Sequence, residues 1–287
     1  MLRNRLATVE GWISEVKDPE RYNDGRLHGS MFTIGTPSFR CRHRTIVNIP
    51  GVYSPYGKEL RSLLTCEEGY KVVGADSAGN QFRGLCHYIN DDAFTNEVIN
   101  GDVHQRNADI LGITRPQAKT FIYAYLFGAG PAKLGEAISG KKSAKIGKQA
   151  DETFKSTLPG LKVLKDRLED EYRMSMMKTG QGFIVGADGR RIMVASEHQV
   201  LNYLLQTLEG ITCKAALVYA SKKIKEKGLD AYPTLFYHDE VVFVCAEKDA
   251  EEVKDICVEA FSEAPKASGV MCMGGDGQIG DSYADVH

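Results

Sequence analysis

The rhythm of apolar and polar residues changes several times along this chain, and each change marks an element. YKVVGAD (residues 70–76) is a short apolar run closed by a carboxylate, the pattern of a buried strand. LFYHDEVVF (235–243) sets His238, Asp239 and Glu240 between two apolar runs, so a strand pair is expected around 233–245. QFRGLCHYI (81–89) reads as a helix. Thr114-Arg115-Pro116 opens another, with Pro116 in the first turn where its missing N–H costs nothing. That helix runs to FGAG at 127–130, where two glycines end it.

Residues 1–28 begin helically and then pass through the polar turn DPERYNDG. The lysine-rich stretch KKSAKIGK (141–148) leads into helices up to about residue 178. GFIVGADGRRIMV (182–194) reads as a hairpin turning at Asp188-Gly189. Ser196 and Gln199 form a capping box that opens a helix reaching Lys227. A helix from about 249 to 263 follows, and the last thirteen residues are Gly-rich and polar. Strands at 70–76 and 233–245 around a mostly helical interval imply an α+β fold, one sheet interrupted by a helical insertion.

Composition narrows little. The 287 residues are 43% hydrophobic and 26% charged, ordinary for a globular protein with a substantial core. The net charge of -2 gives no global attraction to nucleic acid, but local patches steer a polyanion, and RCRHR (40–44) is one. The seven cysteines show no CxxC pair and read as buried free thiols in a reducing cytoplasm. No signal peptide and no apolar run long enough for a membrane span is expected.

Three groups of residues carry candidate chemistry. Asp239-Glu240 reads either as the whole of a tight hairpin turn or as a functional pair. Asp76 ends another apolar strand, and two strands ending side by side in carboxylates would need a cation to offset their repulsion. Mg²⁺ suits such oxygen ligands, whereas the His238 imidazole suits the turn or a nucleic-acid backbone better. On 115–130, Arg115, Lys119, Tyr123 and Phe127 recur every four residues and share a face. Two cations followed by two aromatics suit a triphosphate and a base, or equally a solvated cation pair above core aromatics.

These stretches, in this order, resemble the polymerase domain of family A DNA polymerases, especially the phage subgroup. The run ending in Asp76 with SAGNQFR after it resembles the first carboxylate motif, RPQAKTFIYAYLFGAG the nucleotide-binding fingers helix, and FYHDEVVF the second carboxylate motif. GDVHQRNA (101–108), HQVLNYLLQ (198–206) and NIPGVYSPYGKELRSLL (48–64) resemble further parts, so the likeness spans roughly 25–245. It implies a palm at 1–100 and 182–287 with an antiparallel sheet, and fingers at 101–181. It also implies template-directed nucleotidyl transfer to a primer 3′-hydroxyl with two Mg²⁺ ions held by Asp76, Asp239 and the Ser77 carbonyl, with Glu240 a supporting acid. His104, Arg115, Lys119, Tyr123 and Gln81 would bind the nucleotide. Arg83, Phe127, His198, Asn202, Gln206, His238, Arg40 and Arg42 would face the primer–template.

The sequence departs from the family pattern in places. Gln81 stands where a glutamate usually gates against a 2′-hydroxyl, and Phe127 where tyrosine is common. The usual Thr-Gly-Arg entry reads Thr36-Pro37-Ser38, with arginines displaced to 40, 42 and 44. No counterpart of the family's helical thumb or 3′–5′ exonuclease is expected in these residues. The expected partners are therefore primer–template DNA, deoxynucleoside triphosphates, a separate polypeptide carrying thumb and exonuclease, and a processivity factor or other replication proteins. Such a polypeptide would dock at the N-terminal helix, with Trp12 either an anchor or a core residue. A catalytically idle primer–template-binding subunit, an RNA-synthesising or sugar-indifferent polymerase and a small-molecule phosphohydrolase are the alternatives. The implied setting is phage replication in a bacterial cytoplasm.

Overall fold

The computed structural model describes residues 2–20 and 24–286. Residues 21–23, inside the polar turn expected at 18–25, lie outside the described residues. The chain forms α1 (Leu2–Lys17), the short strands β1 (Ser30–Phe32) and β2 (Arg42–Arg44), α2 (Gly57–Ser62) and β3 (Tyr70–Ser77). Seven helices follow: α3 (Asn80–Ile89), α4 (Asp92–Asn100), α5 (Val103–Leu111), α6 (Arg115–Leu126), α7 (Pro131–Ser139), α8 (Ala144–Thr157) and α9 (Pro159–Thr179). The hairpin β4 (Phe183–Val185) and β5 (Arg191–Met193) leads to α10 (Val200–Lys227). β6 (Ala231–Tyr237), β7 (Glu240–Ala246), α11 (Ala250–Lys266) and β8 (Gly275–Gly280) complete it.

Two compact units result. One comprises Met1–Ala78, Gly210–Gly269 and Met273–His287; the other comprises Gly79–Glu209 and Val270–Cys272. The first unit is built on an antiparallel sheet ordered β6-β7-β3-β8, the α+β arrangement the apolar runs imply. The central strands β3 and β7 are apolar on both faces because both are covered. Val73, Ala75, Val241, Phe243 and Cys245 pack with Val253, Ile256, Cys257 and Phe261 of α11 and with Cys213, Ala216 and Ala220 of α10. Val72, Val242 and Val244 form the other layer with Tyr283 and Val286.

β8 corrects the reading of the tail, which assigned no element to its Gly-rich residues. An added Cβ at Gly275 would sit 2.8 Å from the Phe261 ring, and one at Gly277 2.7 Å from Val258. The strand thus lies hard against α11, and the apolar signal sits on the helix rather than on the strand. Trp12 takes the core role: it is buried, and its Nε1 donates to the Thr45 carbonyl at 3.0 Å.

The second unit is helical, around Phe121, Phe154, Leu161, Ile184, Ile192 and Leu204. α6 starts as its sequence implies: the Thr114 N–H donates to Gln117 Oε1 at 2.9 Å. It ends at Phe127, with Gly128 in the left-handed region at φ 75. The start of α10 differs from the expected box. Ser196 Oγ donates to Gln199 Oε1 at 3.0 Å rather than accepting a backbone N–H, and residues 197–199 make a tight 3₁₀ turn. All seven cysteines are free, five of them buried. Among the described residues no helix is long and apolar enough to cross a membrane.

Candidate active site

In the first unit, strand register brings the two carboxylate motifs together. Asp76 pairs with Glu240 across β3 and β7, and the Ser77 N–H donates to the Asp239 carbonyl at 2.9 Å. Tyr237 pairs with Glu240, so the two-residue turn is His238-Asp239, not Asp239-Glu240 as the sequence suggested. Glu240 belongs to β7, and alternation turns it to the face that holds Val242 and Tyr283. Its carboxylate is buried and accepts from the Tyr283 hydroxyl at 2.8 Å. Burial and that carboxylate push the Tyr283 phenol well above its usual pKa. Asp76, by contrast, is exposed at the strand's end.

β8 adds an acid that the sequence reading missed: Asp276 stands directly opposite Asp76 on its other flank. Glu240, Asp76 and Asp276 therefore occupy one row across three strands. Like charges facing one another across a sheet are destabilising, which favours a cation at this edge. Exposed Asp76 and half-buried Asp239 supply hard oxygens, a donor set that fits Mg²⁺. Among the described residues no group of three or more His, Cys, Asp or Glu forms a ready-made cage. Mg²⁺ ordinarily needs only one or two carboxylates, with water and substrate phosphates supplying the rest.

The turn is strained and crowded. His238 sits at φ 59, a left-handed conformation uncommon outside glycine. Its ring lies 4.6 Å from Tyr237 and 5.6 Å from His43 on β2. Burial, the Arg40 charge and His43 together lower its pKa to about 4, so it is neutral at pH 7. His238 Nδ1 and His43 Nε2 are buried without hydrogen-bond partners among the described residues. Among the three displaced arginines, Arg40 is thus the one whose charge reaches the turn. Arg42 and Arg44 instead lie over the Phe32 ring, 5.5 and 5.2 Å from its centre.

In the second unit, α6 carries Arg115, Lys119 and Phe127 exposed and Tyr123 half-buried. Arg115 Nε donates to Asp102 Oδ2 at 2.8 Å, and this pairing with the Gln105 N–H holds the Asp102 carboxyl below its usual range. Asp102 also caps α5, accepting from Gln105 N at 3.0 Å. The cap sets the start of the helix that presents His104. The His104 ring lies 5.9 Å from Tyr123 and 5.4 Å from Phe82, and Tyr123 stacks with Phe127 at 6.4 Å. Burial, then Arg115 and Lys119, lower the His104 pKa, and its Nδ1 is buried without a partner.

The remaining candidates in this unit take defined places. Gln206 Nε2 donates to Asn202 Oδ1 at 2.6 Å one turn away on α10. Arg83 Nη1 is tied to the Cys272 carbonyl at 3.0 Å. His198 lies in the turn before α10, beside Gly128, and lines a cavity of about 360 Å³ with Tyr125, Asp151 and Lys165. Gln81 is buried and bonded to Glu209, a residue outside the motifs read above. One signal was present: a lone carboxylate in the apolar run LLQTLEGITC.

Relatives cover the whole chain. It is 29% identical over 324 residues to a DNA-directed DNA polymerase of Escherichia phage T7, an alignment that takes in 100% of this chain and 45% of the relative. It is 25% identical over 280 residues to DNA polymerase I of Aquifex aeolicus, with 91% of this chain and 46% of that protein covered. The chain thus spans about half the length of the curated relatives it matches. The POL domain of Pol1 from M. smegmatis, solved as a complex with DNA primer-template and dNTP, shares the fold. Its TM-score is 0.81 at 21% identity, over 99% of this chain and 52% of that one. The profile of DNA polymerase family A matches residues 7–285, and the chain belongs to that family.

Proposed function

We propose that this chain catalyses template-directed DNA synthesis, transferring a nucleotidyl group from a deoxynucleoside triphosphate to a primer 3′-hydroxyl. The observation that carries the reading is the register of β3 on β7, which sets Asp76 opposite Glu240 and bonds Ser77 to Asp239. In this reading Asp76, Asp239 and the Ser77 carbonyl hold two Mg²⁺ ions. Bound there, the ions would acidify the primer hydroxyl and offset charge on the triphosphate. Tyr283 fixes Glu240, which keeps a negative wall behind the site without competing for the nucleotide.

Arg115, Lys119 and His104 take the triphosphate, and Tyr123 takes the sugar and base. Cations aimed where charge develops lower the barrier to transfer. Arg115 has to exchange Asp102 for a phosphate. The exchange is cheap, because both side chains are about half exposed and water screens such a pair. Arg40, Arg42, Arg83, Phe127, His198, Asn202, Gln206 and His238 face the primer–template. Neutral His238 serves there as a hydrogen-bonding group rather than a cation.

Functionally we divide the chain as palm at 1–100 and 182–287 and fingers at 101–181. The compact units divide instead after Ala78 and Glu209. A separate polypeptide carrying thumb and exonuclease would dock on α1, where Leu2, Leu6 and Ile13 are exposed. The test is single-nucleotide extension of a labelled primer–template at low salt with Mg²⁺, with and without such a polypeptide. Incorporation only of the nucleotide complementary to the template is expected. Incorporation blind to the template, or none in either condition while DNA is bound, would overturn the reading.

A further inference from the structure

Gln81 and Glu209 form a buried polar pair in the second unit. Gln81, in the first turn of α3, is 6% exposed, and Glu209 on α10 is 1% exposed. Gln81 Nε2 donates to Glu209 Oε2 at 2.5 Å. The two helices pack closely around the pair: a Cβ on Gly84 would lie 3.3 Å from Leu208 and 3.5 Å from Leu205. A carboxyl buried this deeply costs several kcal/mol unless it is paired, so it is a poor choice for filling space alone. Its place beside Gln81 asks for another explanation.

The contact fixes the amide. An amide can be turned end for end with little change of shape, and a carboxylate acceptor selects the orientation that points the NH₂ at it. Gln81 Oε1, on the far side, is buried and has no hydrogen-bond partner among the described residues. The side chain's conformation therefore depends on Glu209 and on packing. We propose that Glu209 is a specificity residue acting through Gln81: it locks the glutamine as a rigid wall of the sugar site, excluding a 2′-hydroxyl. This deepens the proposed function and rests on it, since Gln81 stands where the family resemblance implies the sugar gate. Glutamine alone has the bulk for a gate but could swing aside; the buried carboxyl removes that freedom.

The test compares kcat/KM for the matched deoxy- and ribonucleotide in the full chain, with thermal denaturation of the same proteins. Glu209→Leu should lower the deoxy-to-ribo preference at least tenfold, chiefly by improving ribonucleotide use. Gln81→Ala, which spares the buried acid, should do the same, and the two together should do no more than either. Glu209→Gln, still able to accept the bond, should keep most of the preference. Gln81→Glu would set two carboxyls face to face and lower Tm, and Gln81→Glu with Glu209→Gln should recover it. An unchanged preference in Glu209→Leu, with deoxynucleotide still incorporated, would overturn the proposal, and the same result in Gln81→Ala would overturn the gate itself. Additive Tm changes in the swap would overturn the lock. Failure of the unaltered chain to incorporate or bind any nucleotide would instead overturn the proposed function, and the sugar assignment with it.

Discussion

Arg115 illustrates how a side chain can be positioned for one partner while resting on another. Its exposed guanidinium pairs with Asp102, and the same carboxylate caps the helix that presents His104. Asp102→Asn keeps an oxygen for the cap but removes the competing charge. Nucleotide KM is expected to fall by up to about fivefold, with Tm nearly unchanged, since the pair is exposed and screened. A raised KM would mean that the pair positions Arg115 rather than restrains it.

His104 and His87 make a second prediction at this scale. Burial lowers both ring pKa values, with Arg115 and Lys119 adding to the effect on His104. Unfolded, they protonate near 6.5, so the unfolded state binds more protons as pH falls below that value. Their contribution to stability is fully present above about pH 6.5 and is lost as pH falls through the lowered folded values. Tm should be flat from pH 8 to 7 and decline below about 6.5, less steeply in His104→Gln. A Tm that rises on acidification would contradict the burial argument.

At the scale of elements, glycines decide where helices and strands approach. A Cβ on Gly147 of α8 would lie 1.8 Å from the Pro131 carbonyl oxygen at the start of α7. Backbone cannot yield as a flexible side chain does, so Gly147→Ala should cost about 3 kcal/mol, measurable by urea denaturation. A loss under about 0.5 kcal/mol would show that the two helices can part freely. The same reasoning explains what the sequence disclosed. The apolar runs of β3 and β7 and the Pro-start, Gly-stop signals of α6 were legible because each carries its own local reason. β8 was not, since its glycines make sense only against Phe261 and Val258 of a distant helix. The turn at His238-Asp239 was misplaced by one residue because nothing local announces a histidine at positive φ.

Over the whole molecule, the chain leaves the first unit after Ala78 and returns to it at Gly210. Asp76 and Asp239 lie on opposite sides of that long insertion in sequence, yet the antiparallel register of β3 on β7 brings their strands together. Sequence order with family-like motifs could suggest this convergence; only the pairing supplies Asp276 and the Tyr283 anchor. Glu209 escaped notice for a related reason. A buried acid is visible in sequence, but its partner lies 128 residues away. The chemistry rests on the carboxylates where β3 ends and β7 begins. The most direct measurement is therefore single-turnover primer extension with Mg²⁺ by the unaltered chain, Asp76→Asn and Asp239→Asn, each checked for native Tm. Extension by the first is expected, with a loss of at least about a hundredfold in both variants while DNA is still bound, the scale on which the loss of one charge-stabilising group registers. Extension at an unchanged rate by either folded variant would contradict that chemistry.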